Sequence, residues 1–369
     1  MESLKFPDGF LWGSATSSYQ VEGGIENNDW AASAREGKVP PAGRATDHYH
    51  LYEKDFDLAK SLGHNAHRFS IEWARIEPEE GRFSEEAIEH YRKVLEALRA
   101  RGMEPFVTLH HWTLPLWFAE KGGWLGKDAP KIFARYCEYV VSRLGDMAKF
   151  WITINEPEVF IAHGYLKGNW PPFKKSIFKY FKATKILLSS HLASYNIIKK
   201  INSELRVGIA KNNSYHWFWN FYFLNKIKNH QDFIGLNYYF HRRFFKNKNK
   251  EISDMGWEIY PEGICHVLKE LKKYKKPVYI TENGLADAKD QKREKFIKEH
   301  LQWAHRALQE GVDLRGYMYW SLLDNFEWAH GFEPRFGLVE VNYETLERRI
   351  RPSAWEYAKI CKANQLEVD

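Results

Sequence analysis

Cysteine and long apolar runs are scarce in this sequence. Only three of its 369 residues are cysteines, and Cys137, Cys265 and Cys361 lack the close spacing of a metal site. We therefore interpret them as reduced thiols buried in helices. No window is long and apolar enough to span a bilayer, and the chain does not start with a basic region followed by an apolar stretch. The sequence thus predicts a soluble, cytoplasmic protein without a metal site.

An excess of charge of one sign is also lacking, and so is a linker. The 54 Lys and Arg residues against 48 Asp and Glu leave a net charge of +6, and the lysines do not form one basic face. The basic run Lys246–Lys250 is interpreted as a solvated loop. This distribution argues against a nucleic-acid partner. Because no Pro-, Gly- or Ser-rich stretch divides the chain, we predict a single domain over residues 1–369.

Aromatic residues, by contrast, are abundant. Phe, Tyr and Trp make up 16% of the chain, and 15 residues are Trp. An indole ring can pack in a core, but it can also stack on the apolar face of a sugar. We therefore expect many of these Trp residues to line a binding site.

Strand-like and helix-like segments alternate along the chain. Eight short apolar or β-branched runs suit strands buried on both faces: Phe10–Thr16, Ala66–Trp73, Glu104–Trp112, Phe150–Asn155, Arg206–Asn212, Phe233–Tyr239, Val278–Glu282 and Gly316–Leu322. Amphipathic helices are predicted at Ser84–Gly102, Ala129–Leu144, Ser176–Lys200, Glu262–Tyr274, Gln291–Glu310 and Ser353–Ala363. This alternation predicts an α/β fold, a closed (β/α)₈ TIM barrel with its site at the strand C-termini.

Two of these strands end with a glutamate. The segments Thr153–Pro157 and Ile280–Gly284 place Glu156 and Glu282 at the same edge of the predicted barrel. Either glutamate alone would be read as an ordinary loop carboxylate. Hydrolysis of a glycosidic bond, however, requires one carboxylic acid to protonate the leaving oxygen and a second, ionised carboxylate to attack. The pair therefore indicates a glycosidase.

Other strand ends carry polar and aromatic residues. Taken singly, each has an ordinary explanation: a histidine can cap a helix, a tryptophan can belong to the core, and Arg68 can pair with any acid. Together they offer amides, imidazole, carboxylates and indole faces, which is the mixture that a sugar site needs. The residues are Gln20, Glu22, Arg68, His111, Trp112, Asn155, Asn237, Tyr239, Trp320, Glu327 and Trp328.

With these residues the chain resembles glycoside hydrolase family 1, the retaining β-glycosidases built on a (β/α)₈ barrel. The motifs that carry the resemblance extend over most of the chain: Phe6–Gly23, Arg68–Ile71, Leu109–Trp112, Asn155–Pro157, Gly235–Tyr239, Thr281–Gly284 and Trp320–Trp328. The resemblance implies that Glu156 is the acid/base and Glu282 the nucleophile. It further implies support of these groups by Arg68, Asn155, Asn237 and Tyr239, and substrate binding by Gln20, His111, Trp112, Trp257, Trp320, Glu327, Trp328 and Phe336.

The neighbours predict different charge states for the two glutamates. Arg68 and a phenol should keep Glu282 ionised, whereas burial and the nearby carboxylate should raise the pKa of Glu156. For a retaining mechanism we expect the two carboxyl groups to lie about 5 to 5.5 Å apart.

The substrate class can be narrowed from the strand-eight region. Family members that act on 6-phosphorylated sugars usually replace the tryptophan after the strand-eight glutamate and add a phosphate-binding loop. Here Glu327 and Trp328 are intact, and residues 329–336 show no such loop. We therefore expect terminal nonreducing β-D-glucosides as substrates, with β-galactosides and β-fucosides as secondary ones, and no required cofactor.

The chain departs from the family between Asn213 and Asp232, where the fifth helix and adjacent loops are predicted to be reduced or missing. One interpretation is that the aromatic run Ser214–Leu224 folds over the gap. A second is that the gap binds a flat apolar ligand such as haem, with Tyr215, His216 or Tyr222 as axial ligand. A third is that it docks on another subunit or a membrane surface. A barrel that binds sugar without hydrolysing it is the alternative function.

Overall fold

The computed structural model describes residues 2–213, 217–240 and 251–368. Within these ranges the eight predicted runs form a closed barrel in which each strand is parallel to its neighbours. The strands are β1 (Leu11–Ala15), β2 (Ala66–Ser70), β3 (Glu104–Thr108), β4 (Phe150–Asn155), β5 (Arg206–Asn212), β6 (Ile234–Asn237), β7 (Val278–Asn283) and β8 (Leu314–Trp320). The predicted (β/α)₈ barrel is confirmed.

A long helix follows each strand and packs on the outside of the barrel. These helices are α1 (His48–Ser61), α2 (Glu85–Ala100), α3 (Ala129–Leu144), α4 (Ile177–Ile201), α5 (Trp217–Ile227), α6 (Glu262–Leu271), α7 (Arg293–Gln309) and α8 (Pro352–Ala363). All three cysteines are buried and unpaired, in α3, α6 and α8, as the sequence predicted. None of the described helices combines the length and apolar character needed to cross a membrane.

Helix α2 shows how the sequence determines these elements. Ser84 caps its start, because the Ser84 hydroxyl accepts a hydrogen bond of 3.1 Å from the amide of Ala87. Gly102 follows its end with φ of 68°, a conformation that costs glycine little. The side chains that α2 buries against the barrel recur every three or four residues, at Ile88, Tyr91, Leu95 and Leu98.

Aromatic side chains fill the lower half of the barrel. Phe106 and Phe150 stack with ring centroids 4.2 Å apart, and Phe233 and Tyr279 pack around them. A larger apolar core lies between the strands and the surrounding helices. Because the lower interior is filled, the space for a ligand within the described part of the barrel lies at the C-terminal ends of the strands.

The fifth helix is shortened and not missing. Helix α5 has 11 residues, compared with 25 in α4, and consists of the last eight residues of the aromatic run and the three residues after it. It buries Phe221, Phe223, Leu224 and Ile227. The interpretation that the aromatic run covers the gap is confirmed for this part of the run, because these side chains supply the apolar face that a longer helix would have supplied. The basic run Lys246–Lys250 lies outside the described residues.

The remaining elements are short. Glu2–Lys5 pairs with Gln365–Val368, and Val339–Val341 pairs with Arg348–Ile350, both antiparallel. Short helices at Ser18–Val21, Asp29–Arg35, Trp73–Ile76, Leu116–Glu120 and Pro157–Ile161, a π-helical turn at Ala162–Lys167 and 3₁₀ turns at Gly123–Leu125, Lys272–Tyr274 and Trp328–His330 complete the connections. Most of them border the upper rim.

Candidate active site

The predicted site residues gather at the upper end of the barrel. A cleft of about 620 Å³ opens there and is lined by Gln20, His111, Trp112, Glu156, Tyr239, Trp257, Glu282, Trp320, Glu327, Trp328 and Phe336. Arg68, Asn155 and Asn237 are fully buried and connect these side chains from below. The fourteen residues that the family resemblance assigned to the site are therefore brought together.

Glu282 lies at the end of β7 between a cation and a phenol. Arg68 donates a short hydrogen bond from Nη1 to Oε1 of Glu282, and Tyr239 donates one of 2.6 Å from its hydroxyl to Oε2. Burial and the neighbouring Glu282 raise the pKa of Tyr239 well above its usual value, so the phenol keeps its proton. Both oxygens of the Glu282 carboxylate therefore have a hydrogen-bond donor.

Glu156 has no cation as a hydrogen-bond partner. Its Oε1 accepts from the side-chain amides of Asn237 at 2.9 Å and Asn212 at 3.2 Å. Burial, followed by the charge of Glu282, raises the pKa of Glu156 to about 8. The carboxyl group of Glu156 is therefore protonated near neutral pH, as the sequence predicted.

The backbone around Glu156 explains how this side chain turns into the cleft. Glu156 has φ of 42°, an uncommon conformation for a residue other than glycine. Pro157 follows at the first position of a short helix, and a proline disfavours right-handed helical backbone in the residue before it. The register of β4 against β5 also shifts between Ile152 and Asn155. The Asn-Glu-Pro motif thus sharply redirects the chain at the strand end.

Asn155 connects the environments of the two glutamates. Its Oδ1 accepts from Arg68 at 2.6 Å and from Asn237 at 3.1 Å, so its Nδ2 must be the donor to Nε2 of His111, 3.2 Å away. His111 consequently carries its proton on Nδ1. Burial, followed by the charge of Arg68, lowers the pKa of His111 well below its usual value, so this imidazole is neutral.

The glycine of the Thr-Glu-Asn-Gly motif permits a close approach of two chain segments. A Cβ atom at Gly284 would lie 1.7 Å from the carbonyl oxygen of Trp320. No other residue type fits beneath this carbonyl. Gly284 therefore lets the ends of β7 and β8 converge, which places Glu282 and Trp320 on the same cleft.

A second acidic group occupies the far side of the cleft. Glu327 accepts a hydrogen bond of 3.2 Å from Nε2 of Gln20. Burial, followed by the charges of Glu282 and Glu156, raises the pKa of Glu327 to about 8. The ring of His111 lies nearly parallel to those of Trp320 and Trp328, with centroids 6.0 Å apart in each case. This side of the cleft thus offers polar groups beside flat aromatic faces.

Three further aromatic residues hold the cleft walls. Trp112 donates from its indole nitrogen to the backbone oxygen of Asn155 at 3.1 Å, so it supports the polar network as well as lining the cleft. Trp257 and Phe336 pack around Tyr239, with centroid distances of 5.6 and 6.2 Å. The ring of Trp257 remains partly exposed at the entrance.

Asn212 was not predicted as a site residue. It ends β5 and follows the same rule that identified the other strand ends, so its position was readable from the sequence. The cleft also has lining residues that no strand end indicates: Val159, His163, Leu166, Trp170, Trp219, Phe240 and Met255. Glu22, in contrast, was named as a rim residue but does not line this cleft. It accepts from Arg75 and Tyr91 elsewhere.

A buried ion pair lies beside the acidic side of the site. Nζ of Lys211 is 3.4 Å from Glu158, and both side chains are almost inaccessible to solvent. Burial lowers the pKa of Lys211 and raises that of Glu158. Lys211 also donates to the backbone oxygen of Asn212 at 2.5 Å, so the pair supports the residue that holds Glu156.

Replacing Lys211 with methionine should destabilise the protein by about 3 to 5 kcal/mol, because the buried carboxylate of Glu158 loses its partner. Adding Glu158→Gln should recover most of this loss, since no unpaired charge then remains. The denaturant midpoints of the three proteins measure the effect. Equal midpoints for the single and the double variant would show that the pair is not coupled.

Comparisons with known proteins agree with this geometry. The chain matches the family model described as glycosyl hydrolase family 1 over residues 2–219 and 223–366. It is 36% identical to β-glucosidase A of Thermotoga maritima, with 100% of each chain covered. It is 31% identical to a β-galactosidase of Sulfolobus acidocaldarius, with 98% of this chain and 96% of the relative covered.

Solved structures give the same result. A β-glycosidase from Pyrococcus horikoshii superposes with a TM-score of 0.94 at 40% identity, covering 100% of this chain and 97% of the other. The family 1 β-glucosidase of Thermotoga maritima superposes with a TM-score of 0.93 at 34% identity, covering 99% and 100%.

The comparisons also show where this chain is shorter than its relatives. The alignment with the Thermotoga maritima enzyme spans 445 positions, more than the 369 residues of this chain. The match to the family model is interrupted at residues 220–222, inside α5, where the sequence predicted a loss. The barrel, the two glutamates at its upper end and the similarity to these relatives lead to one conclusion. The chain belongs to glycosyl hydrolase family 1 and is a retaining β-glycosidase.

Proposed function

We propose that this enzyme hydrolyses terminal nonreducing β-D-glucosides, and more slowly β-galactosides and β-fucosides, by double displacement. Glu282 is the nucleophile and Glu156 the acid/base in this proposal. The observation that carries it is the contrast between the two carboxyl groups: Glu282 accepts from a guanidinium and a phenol, whereas Glu156 accepts only from neutral amides. Glu282 is thereby suited to attack the anomeric carbon, and Glu156 is suited to donate a proton to the leaving oxygen.

In the first step Glu156 gives its proton to the departing oxygen while Glu282 attacks the anomeric carbon. The bond to the leaving group breaks, and a covalent glycosyl ester forms at Glu282. A direct attack requires the two carboxyl groups to lie about 5 to 5.5 Å apart. Arg68 then loses its anionic partner, and the interaction of the guanidinium with Asn155 keeps it in place.

In the second step the charge states reverse. The ester at Glu282 carries no negative charge, so the repulsion that helped to raise the pKa of Glu156 is gone. Glu156 can then be ionised and accept a proton from the incoming water. The water attacks the anomeric carbon from the side on which the leaving group was bound, so the product keeps the β configuration.

Two of the groups that hold the sugar have unused hydrogen-bonding capacity. Nδ2 of Asn155 has a second hydrogen for the 2-hydroxyl, and Nδ1 of His111 has no hydrogen-bond partner within the described residues. Gln20 and Glu327 are suited to the hydroxyls at the far end, and Trp320 and Trp328 supply flat apolar faces. A phosphate at the 6-position would meet the carboxyl group of Glu327, which supports an unphosphorylated substrate.

The proposal is tested with p-nitrophenyl β-D-glucoside, galactoside and fucoside, the 6-phosphoglucoside, and a 2-deoxy-2-fluoro glucoside as trap. We expect turnover of the first three, little of the phosphorylated compound, and a fluorosugar adduct on the peptide that contains Glu282. Proton NMR should show the β anomer of the product first. If folded protein gives neither turnover nor adduct, the alternative of a barrel that only binds sugars replaces this proposal.

Trp257 should bind the leaving group, because its ring lies at the entrance against Tyr239. Replacing Trp257 with alanine should raise KM for aryl glucosides about tenfold while kcat changes little, since the lost contact is the same in ground and transition state. Trp257→Phe is the matched control and should retain most of the affinity. A fall in kcat at unchanged KM would instead place Trp257 at the reacting sugar.

Binding of a flat apolar ligand such as haem stays a prediction. Of the three suggested axial ligands, Tyr215 and His216 lie outside the described residues, and Tyr222 is half-buried on α5. Titration of the purified protein with haem is the test. A Soret band that shifts on binding and weakens in Tyr222→Phe would support this residue as a ligand, and an unchanged spectrum would dismiss the idea.

A cytoplasmic location is part of the same proposal. It is supported by the three buried cysteines, none of which forms a disulfide, as is usual for proteins of reducing compartments. Fractionation of the native cells measures it, and activity found mainly in the culture medium would contradict it.

A further inference from the structure

One long segment of the chain carries positive charge only. Between Glu158 and Glu204 the sequence contains eight lysines and no acidic residue, although the net charge of the whole chain is only +6. The segment includes all of α4 and the π-helical turn Ala162–Lys167 before it. The remainder of the protein therefore has nearly balanced charge, and the excess is concentrated here.

The same segment exposes large apolar side chains. Among the described residues seven large hydrophobic side chains are exposed, and five of them lie here. Ile201 lies at the far end of α4, and the other four lie near its start: Phe178 at 84%, Phe181 at 52%, Ile177 at 46% and Leu166 at 42%. The amide of Ser176 donates to the backbone oxygen of Tyr165 at 2.9 Å, which brings Leu166 next to the start of α4. The four side chains thus belong to one surface region.

Lysines surround these apolar side chains. Lys174, Lys175, Lys179, Lys182 and Lys185 are exposed, and none of the five lies within ion-pair distance of an acid in the part of the chain that the structure describes. We call the four apolar and these five basic residues the docking face. The opposite side of α4 buries Tyr180, Ala183, Thr184 and Leu187 against the barrel, so the docking face is held rigidly.

The charge and shape of the docking face indicate which kind of partner it can bind. A second copy of this chain would bring ten lysines together, and their repulsion opposes such a dimer. Phe178 projects from the surface instead of lining a groove, and this shape fits a deformable partner better than a preformed protein pocket. Apolar side chains ringed by lysines are typical of surfaces that insert into the headgroup region of anionic lipids.

We propose that the docking face binds the surface of an anionic lipid bilayer. Ile177, Phe178 and Phe181 enter the boundary between headgroups and acyl chains, and the lysines contact lipid phosphates. Leu166 also lines the active-site cleft. A docked enzyme therefore has the entrance of its cleft beside the membrane, where amphiphilic glycosides are concentrated. The last point rests on the proposed hydrolase function, whereas the docking itself does not.

The full-length protein should be mixed with vesicles of phosphatidylcholine alone and of phosphatidylcholine with 30% phosphatidylglycerol, and binding measured by cosedimentation. We expect binding only to the anionic vesicles, with release at about 1 M salt because surface charges are then screened. Phe178→Ser/Phe181→Ser should weaken the partition coefficient at least about tenfold. Each Lys→Gln change at the five positions should weaken it by roughly fivefold.

Matched controls separate this effect from loss of structure. Trp355→Ser removes an exposed apolar side chain from α8 and should leave vesicle binding unchanged. All variants should hydrolyse a soluble aryl glucoside at the wild-type rate, so failure of docking and failure of hydrolysis are distinguishable.

Three results would overturn the proposal. The first is the absence of binding to anionic vesicles at about 0.1 M salt. The second is vesicle binding that the Phe178→Ser/Phe181→Ser variant retains in full. The third is a wild-type dimer in light scattering that becomes a monomer in this variant. The docking face would then be a contact between copies of the chain.

Discussion

Replacing Glu282 with glycine should lower kcat/KM for aryl β-glucosides by about 10⁵-fold or more, because no group remains to attack the anomeric carbon. The small side chain leaves space beside Arg68 and Tyr239, whose hydrogen-bonding groups can hold an external anion. Added azide or formate should therefore restore partial turnover. With azide the product should be the α-glucosyl azide, since attack comes from the side that Glu282 occupied.

Glu282→Gln is the matched control for this experiment. The amide fills the same space, so it should be as inactive as the glycine variant but should not be rescued by azide. The free energy of unfolding of both variants, measured by denaturant titration, should lie within a few kcal/mol of the wild-type value. Turnover of the glycine variant close to the wild-type rate without added anion would remove Glu282 from the role of nucleophile.

Replacing Glu156 with glutamine should slow hydrolysis of substrates with poor leaving groups by about 10²- to 10⁴-fold. Substrates such as 2,4-dinitrophenyl glucoside need no proton in the first step, so they should still glycosylate the enzyme and give a burst. The second step then lacks its base, and azide should accelerate it to give the β-glucosyl azide. Rapid-quench and steady-state rates measure the two steps separately.

The pH profile offers a second readout for Glu156. Its pKa of about 8 describes the free enzyme, and the proton must be present for the leaving group to depart. In the wild type kcat/KM should therefore fall as the pH rises through about 8. Glu156→Gln cannot titrate, so this basic limb should disappear.

Glu327 provides the control for the pH profile, because burial raises its pKa to about 8 as well. Glu327→Gln should raise KM but keep the basic limb of the profile. If the limb vanished in Glu327→Gln and persisted in Glu156→Gln, the titrating group would be Glu327, and the assignment of the acid would be wrong.

Much of the fold could be predicted because local patterns determine it. Strands buried on both faces appear as short apolar runs, and helices appear as apolar residues at a spacing of three or four with a cap such as Ser84. In a parallel barrel all strand C-termini meet at one end, so residues at those positions predict a site without any knowledge of distances. Asn212, the last residue of β5, obeys this rule too.

Other features depend on residues far apart in the chain, so local patterns alone do not predict them. Arg68 and Glu282 are separated by 214 positions, and Asn237 and Glu156 by 81. Which donor reaches which carboxylate follows from the tilt and register of the strands. The fifth helix was predicted to be reduced or missing because the chain is shorter than other family members between Asn213 and Asp232. That a short helix remains there, with Phe221, Phe223, Leu224 and Ile227 buried, was seen only in the structure.

The sequence by itself determined the order of strands and helices, the barrel, and the two glutamates at its upper end, because these depend on local spacing and on a general rule of parallel sheets. Only the tertiary structure decided that Asn212 donates to Glu156, that Lys211 pairs with Glu158, and that Phe178 and its neighbouring lysines lie beside the cleft. Burial and neighbouring charge control pKa values and surface chemistry, and both exist only once distant segments of the chain have come together.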